Sequence, residues 1–356
     1  MLRGKKGIIV NMRILTVKSG LEFNAGPKAP RDIINILQKE YNAKAVYLIQ
    51  SNNIIKKILY RIKIFNNIML SKIKNEILVL QFPMYETSDF LNKFFMFCLK
   101  RCKKEKTVIL IHDLEGLRNN DDKLKIQDAE RLNKAKYVIA HNNVMKKFLE
   151  EQGVRSQIFS LELFDYLCNG SEDTKQELDN NTDSKKIVYA GNLVNVKSPF
   201  IYQIEEQKMK FNLELYGVGL EESNLSNSRI NYNGKFLPDE LPNKLVGDLG
   251  LVWDGNLDES DEETGMKPYT KFNNPHKLSC YMAAGLPVVV WEKAACSNFV
   301  KEYNIGYTIK SIYDINKIDF NDFNVKKNNV LKIKDQVREG YFTKKVFEDI
   351  IKNMKG

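Results

Sequence analysis

Apolar residues in this chain fall into short β-branched runs, separated by stretches in which they recur at helical spacing. Residues 13–17, 45–49, 77–82, 107–111, 137–142 and 157–159 read as strands. Between them, residues 31–41 carry Ile33, Ile34, Ile36 and Leu37 at helical spacing, with Asp32 in the first turn. Residues 90–104, 127–135 and 145–152 also read as helices, the last stopped by Gly153. Residues 54–70 mix Ile, Leu and Lys at roughly helical spacing. They fit a solvated helix packing on a sheet, with a basic amphipathic helix lying on lipid as the second reading. A polar stretch at 169–185 has almost nothing to bury and reads as a linker. The rhythm then restarts, with strands at 187–190, 211–216, 230–234, 250–254, 288–290 and 307–309. Helices are expected at 238–246 and 278–284, an acidic surface loop at 258–263, and a closing amphipathic helix at 341–354. Strand and helix alternating twice over predict an α/β protein with two domains, at 1–168 and 186–338, and a C-terminal helical segment at 339–356.

The stretch 273–290 combines three local signals. Asn273, Asn274, Pro275, His276 and Lys277 form a polar turn that ends in a cation. A short helix follows, beginning Leu278, Ser279, Cys280; Gly285 stops it, Pro287 forbids its return, and Val288 to Val290 is a buried strand. Backbone N–H groups at the helix start plus the Lys277 charge make an anion site, most naturally for a diphosphate. An ordinary connection with a solvated lysine fits the same spacing.

Other candidates also follow strands. The loop holding Asn24, Gly26 and Lys28 has two glycines and two prolines and lies at the carboxyl edge of the first sheet, where ligands of doubly wound domains collect. His112 and Asp113 follow strand 107–111 at the same edge. A carboxylate or imidazole there can accept a proton from a hydroxyl, while capping of the next segment is the plainer role for Asp113. Gly191 and Asn192 turn the chain after strand 187–190, with Lys197 beyond as either a diphosphate contact or a surface lysine. Tyr232 is either a stacking partner for a nucleotide base or a core tyrosine.

Composition narrows the classes. The chain has 356 residues, a formal charge of +10, five cysteines and three histidines. The basic excess favours anionic partners. With no nucleic-acid recognition module in view, the inner membrane face or a lipid-linked substrate is preferred over nucleic acid. Cys98 and Cys102 stand one helical turn apart without completing a metal site, so free thiols in a reducing cytoplasm are expected. Residues 1–10 lack the apolar core and cleavage site of a secretory signal, and Met12 is an alternative start. A glycine-rich dinucleotide turn, a Walker lysine and a nucleophile elbow are all missing, which disfavours oxidoreductase, P-loop and serine-hydrolase chemistry.

Four pieces in order carry a family resemblance: Ile111-His112-Asp113, Tyr189-Ala190-Gly191-Asn192-Leu193, Gly250-Leu251-Val252-Trp253-Asp254 and the 273–290 stretch. They resemble GT-B glycosyltransferases and, more closely, the glucosyltransferase 3-like family, which also includes galactofuranosyltransferases. The resemblance implies a GT-B fold, two Rossmann-like doubly wound domains facing across a cleft, with the terminal helix packing back toward the first. It implies transfer of a hexose of the glucose or galactofuranose class from a UDP-sugar to a glycan, glycoprotein or lipid-linked acceptor. Inversion, no metal, no cofactor besides the donor, and a homo-oligomer at the cytoplasmic side of the membrane belong to the same expectation. Asn274, Pro275, His276, Lys277, Leu278, Ser279 and Cys280, with Gly191, Asn192, Lys197 and Tyr232, would hold the nucleotide sugar. The Asn24, Gly26 and Lys28 loop would close over nucleotide or acceptor, and Asp113, beside His112, would be the base. Many GT-B enzymes carry a glutamate where Cys280 stands; a thiol accepts two ribose hydroxyls poorly, so Ser279 or the backbone must substitute. A sugar-nucleotide epimerase of the same architecture and a non-catalytic partner protein are the competing expectations.

Overall fold

A computed structural model describes residues 11–18, 26–49, 53–83, 97, 99–101, 103–168, 185–221, 227–258 and 267–355. Asn24, most of the expected 90–104 helix, nearly all of the linker and most of the acidic loop lie outside these residues. The chain divides into two compact units. Residues up to Lys18, from Ala29 to Glu162 and from Phe342 onward form the first; Gly26 to Lys28 and Leu163–Tyr341 form the second.

The first unit is built on β1 (Met12–Lys18), β2 (Lys44–Ile49), β3 (Ile77–Phe82), β4 (Thr107–Ile111), β5 (Tyr137–Ala140) and β6 (Gln157–Ser160). All neighbours pair in parallel, in the order β2-β1-β3-β4-β5-β6. β3 and β4 are buried along their whole length, as continuous apolar runs covered on both faces must be. The helices used below are α1 (Lys28–Tyr41), α2 (Ile54–Ile73), α3 (Asp122–Leu132) and α4 (Asn143–Glu151). α3 starts earlier than its apolar spacing suggests because Asp121 caps it, accepting from the Leu124 N–H at 3.0 Å. α2 is tied down on its inner side: Arg13, buried against Glu76, also donates to Asn67 at 2.7 Å.

The second unit repeats the plan with β7 (Lys185–Asn192), β8 (Phe211–Val218), β9 (Ile230–Tyr232), β10 (Leu249–Val252), β11 (Val288–Trp291) and β12 (Gly306–Ile309). The parallel order is β12-β11-β10-β7-β8-β9. From β7 the chain runs outward one way through β8 and β9, then returns to β10 and runs the other way. The boundary between β7 and β10 is therefore the strand-order switch, where doubly wound sheets open a crevice at their carboxyl ends. Helices α5 (His276–Ala284) and α6 (Phe323–Glu339) cover this unit, and α7 (Tyr341–Asn353) closes the chain. From Phe342 on, α7 packs within the first unit, with Phe347 against Tyr41 and Lys344 3.5 Å from Glu40. The expected 238–246 helix shrinks to one turn at Leu241–Lys244, while α6 arises where no helix is expected.

β7 and β10 share only two paired positions before separating. Tyr281, fully buried on α5, fills the opening: its phenol accepts from the Ala190 N–H at 2.9 Å and donates to the Leu251 carbonyl at 3.1 Å. The ring lies directly over Gly250, where an added Cβ would stand 2.3 Å from the Tyr281 Cγ. That glycine is what lets α5 approach the sheet. Gly250→Ala is expected to destabilise the second unit by roughly 1–3 kcal/mol. Urea unfolding should show a lowered midpoint with an unchanged slope.

Candidate functional site

The switch point of the second sheet gathers the motif residues. Gly191 and Asn192, expected as a turn after the strand, are the last two residues of β7, kept in the sheet by pairing with Gly217 and Val218 of β8; a Cβ on Gly191 would lie 3.0 Å from the Lys277 Cε. The Lys277 ammonium donates to the Tyr189 phenol at 3.0 Å, the Trp253 carbonyl at 3.0 Å and Asp254 Oδ1 at 2.7 Å. It also sits 4.6 Å from the centre of the Tyr189 ring. All three donors of the ammonium are thus engaged within the protein. Burial works against its charge, but Asp254 and Tyr189 outweigh burial and hold its pKa above the usual lysine value. The network continues: Tyr189 bonds Ser198 at 2.6 Å, and Ser198 donates to the Asn192 carbonyl at 2.7 Å. The Gly191–Asn192 end of β7 and Lys277 are therefore parts of one hydrogen-bonded assembly.

α5 begins beside this network at an N-cap that is Pro275, with no side chain capping its first turn. Its positive end is open to an anion in the way a Ser- or Asp-capped helix is not. Around it, Asn273 Oδ1, His276 Nε2 and Ser279 Oγ are buried polar atoms without hydrogen-bond partners among the described residues. Buried polar atoms normally have partners, so three orphans beside one helix start make this turn a candidate for contact with a polar ligand. His276 stacks on Tyr166, ring centres 4.8 Å apart, with Phe164 at its edge. Burial, then the Lys28 charge, pushes the His276 pKa down to about 3, against a hydrogen bond to the Asp165 main chain. Cys280 is buried and bonded to Tyr166; burial pushes its thiol up to about 12, so it stands as a neutral thiol. Asn274 is buried, and Leu278 points into the core, leaving only its main chain near the turn.

Other expected residues stand differently. Lys28 is 1 % exposed and already paired: Asp239 lies 2.9 Å away, the Leu167 carbonyl accepts from it, and the Tyr166 ring centre is at 4.7 Å. A buried cation needs such partners, and these hold Lys28 in place near His276. Gly26 lies in the turn before α1. Lys197 is exposed, and Asn192 uses its side chain to accept from the Val194 N–H at 3.0 Å. Tyr232 is 42 % exposed rather than a core residue, and its hydroxyl donates to the Gly217 carbonyl at 2.9 Å.

In the first unit, β4 delivers His112 and Asp113 to the carboxyl edge. His112 bonds the Gln81 side chain at the end of β3. Asp113 is buried, accepts from the Leu114 N–H at 3.1 Å and pairs with Arg118. His141, absent from the expected site, stands one residue beyond β5 and interacts with Asp113. Burial lowers its pKa to about 4, against the Asp113 charge and hydrogen bonds to the Ile111 and His112 main chains. The sequence holds a signal for it: a histidine directly after a strand, next to the strand that ends in His112-Asp113.

Two parallel six-stranded sheets with these strand orders, one with a lysine and a helix start at its switch point, are the fold of the GT-B glycosyltransferases. The chain is similar throughout to sucrose-phosphate synthase from Thermosynechococcus elongatus, with a TM-score of 0.55 over 97 % of each chain at 12 % identity. A second similar structure is "Trehalose-6-phosphate from E. coli bound with UDP-2-fluoro glucose", with a TM-score of 0.57, 9 % identity and coverage of 95 % and 98 %. The chain belongs to the glucosyltransferase 3-like family, whose N-terminal domain matches residues 11–163 and whose C-terminal domain matches residues 187–350. It is 30 % identical over 340 residues to the beta-1,6-galactofuranosyltransferase WbbI of Escherichia coli (strain K12), covering 93 % of this chain and 96 % of that one. It is a glycosyltransferase.

The buried histidine beside α5 has a consequence for stability. His276 stays neutral in the folded protein down to about pH 3, whereas in the unfolded chain it takes up a proton near pH 6.5. Between those values the unfolded state binds more protons, so His276 makes stability fall as pH falls through this window; above it the contribution is complete. Its slope is at most about 1.4 kcal/mol per pH unit. Urea midpoints measured from pH 7 to pH 4.5 should show a shallower decline for His276→Phe than for the parent chain.

Proposed function

We propose that this glycosyltransferase takes a hexose from a UDP-sugar, of the galactofuranose or glucose class, and passes it with inversion and without a metal to a glycan, glycoprotein or lipid-linked acceptor. One observation carries the donor reading: the bare Gly191 main chain, Lys277 and the side-chain-free start of α5 converge at the switch point of the second sheet. Departure of the sugar leaves negative charge on the diphosphate, and prearranged N–H groups with a fixed cation stabilise that charge as it develops. Asp254, Tyr189 and the Trp253 carbonyl hold the ammonium in place before the donor arrives. An arriving diphosphate then competes with Asp254 for it. Ser279, buried and without a partner among the described residues, takes the ribose hydroxyls in place of the glutamate that Cys280 replaces. The chain-long likeness to a galactofuranosyltransferase, the family's glucosyltransferase name and the UDP-2-fluoro glucose of a structural neighbour support the donor class.

Asp113 is the proposed base, held in one orientation by Arg118 and the Leu114 N–H. It removes the acceptor hydroxyl's proton while the UDP departs. Neutral His141 behind it adds no competing positive charge.

Calorimetry with UDP tests the donor half. Lys277→Met removes a charged donor and is expected to weaken UDP binding by about 10–100-fold. Equal affinity in parent and variant rules the assignment out. Turnover tests the acceptor half. Asp113→Asn should lower kcat by at least about 100-fold with UDP binding kept. Incubation with UDP-sugar alone should return the sugar unconverted, whereas an epimerase would convert it.

A further inference from the structure

α2 is apolar on two opposite sides. Ile64, Ile68 and Ser71 are its buried face. With 3.6 residues per turn, Ile55, Ile58, Ile62 and Ile73 fall roughly opposite that face, and each is exposed, Ile55 at 68 % and Ile73 at 77 %. Ile54, Leu59 and Leu70 widen the outer stripe, and all three are exposed. Exposed apolar side chains scattered singly need no explanation, but a group of them on one helix face, densest from Ile54 to Ile62 and interrupted by Asn66 before Leu70 and Ile73, marks a contact surface. Cations border it. Lys56 and Lys63 lie along one flank and Lys72 along the other, all exposed, and the helix contains no Asp or Glu. No carboxylate pairs with these three lysines among the described residues.

We propose that α2 is a membrane-surface docking helix: its outer Ile and Leu stripe enters the headgroup boundary of an anionic bilayer while Lys56, Lys63 and Lys72 meet lipid phosphates. An apolar stripe with cations on both flanks is the pattern that lies in a membrane interface. The cations also exclude spanning, and no described helix is long and apolar enough to cross a bilayer. A second copy of the chain is a poor occupant. A two-fold contact through this stripe sets a lysine-bearing flank of each helix against a lysine-bearing flank of its mate, with no carboxylate on either helix. This inference stands apart from the donor assignment.

The test is co-sedimentation of the full chain with vesicles of phosphatidylcholine alone or with phosphatidylglycerol added. Binding is expected only with the anionic lipid and should fall with salt. Each of Lys56→Gln, Lys63→Gln and Lys72→Gln should weaken it about fivefold. The triple change Ile55→Ser, Ile58→Ser, Ile62→Ser should abolish binding, with thermal unfolding and UDP affinity as checks that the fold survives. Trp253 and Trp291 are both buried, so the introduced indole of Ile58→Trp reports the stripe itself. Its emission should shift to the blue with anionic vesicles. No binding by the parent chain, equal binding to neutral vesicles, or an unshifted Ile58→Trp emission overturns the proposal. So does a solution dimer that the triple serine variant splits when the parent ignores vesicles.

Discussion

The second unit turns on a buried ammonium and the acceptors that keep it charged. Lys277 lies under the ends of two strands that have already stopped pairing with each other. Without Asp254, Tyr189 and the Trp253 carbonyl the charge would be too costly to bury; with them it links β7, β10 and α5 at their shared edge. Tyr281, one turn further along α5, bridges the same gap with a neutral phenol. The two side chains work at different depths. Tyr281 satisfies main-chain groups that the splayed strands leave open. Lys277 brings an ammonium, paired with Asp254, to the rim, where the chain also presents a glycine and an uncapped helix start. A crevice at the switch point thus follows from strand order, and its positive character follows from one residue.

The first unit solves the same geometric problem with different chemistry. Its switch falls between β1 and β3, and the groups at the nearby edge are imidazoles and a carboxylate. Gln81 joins His112 to the turn at the head of α1 by donating to the Pro30 carbonyl at 3.1 Å. Asp113 is fixed by an arginine from the segment that follows it. The second unit sets an ammonium against a carboxylate at its edge, and the first sets a carboxylate against a guanidinium beside two imidazoles.

Strands were legible wherever burial on both faces wrote a continuous apolar run, as at Ile77–Phe82, Thr107–Ile111 and Val288–Trp291. Helix α6 was not, because its buried positions Phe323, Val330, Ile333 and Val337 are spread thinly among lysines and asparagines. Its clearest mark was Gly340, whose φ of +81° ends it in the left-handed conformation. The 273–290 stretch and the Gly191 turn were visible as motifs, yet what holds Lys277 was not. Asp254 and Tyr189 lie 23 and 88 residues away, and spacing along the chain carries no information about such partners. The partners of Lys28 were equally invisible: it was expected in a loop closing over nucleotide or acceptor, and the burial of its side chain against Asp239 and Tyr166 depends on residues far along the chain.

The resemblance to GT-B enzymes would put a glutamate where Cys280 stands, and the surroundings of Cys280 determine what a carboxylate would meet there. A carboxylate at that position would sit in a fully buried setting beside Tyr166, where burial already drives a thiol's pKa up to about 12. The same forces would favour a protonated acid, a weaker acceptor for hydroxyls than a carboxylate. Lys28 is nearby and would oppose that tendency, but Asp239 already pairs with it. A small neutral thiol avoids the conflict and keeps the helix packed, at the cost of a hydroxyl-binding group. The neighbouring Ser279 places a neutral hydroxyl without a partner among the described residues one position earlier, so the polar group that this face of α5 offers is uncharged. That suits a helix whose own dipole already supplies positive electrostatics at its start.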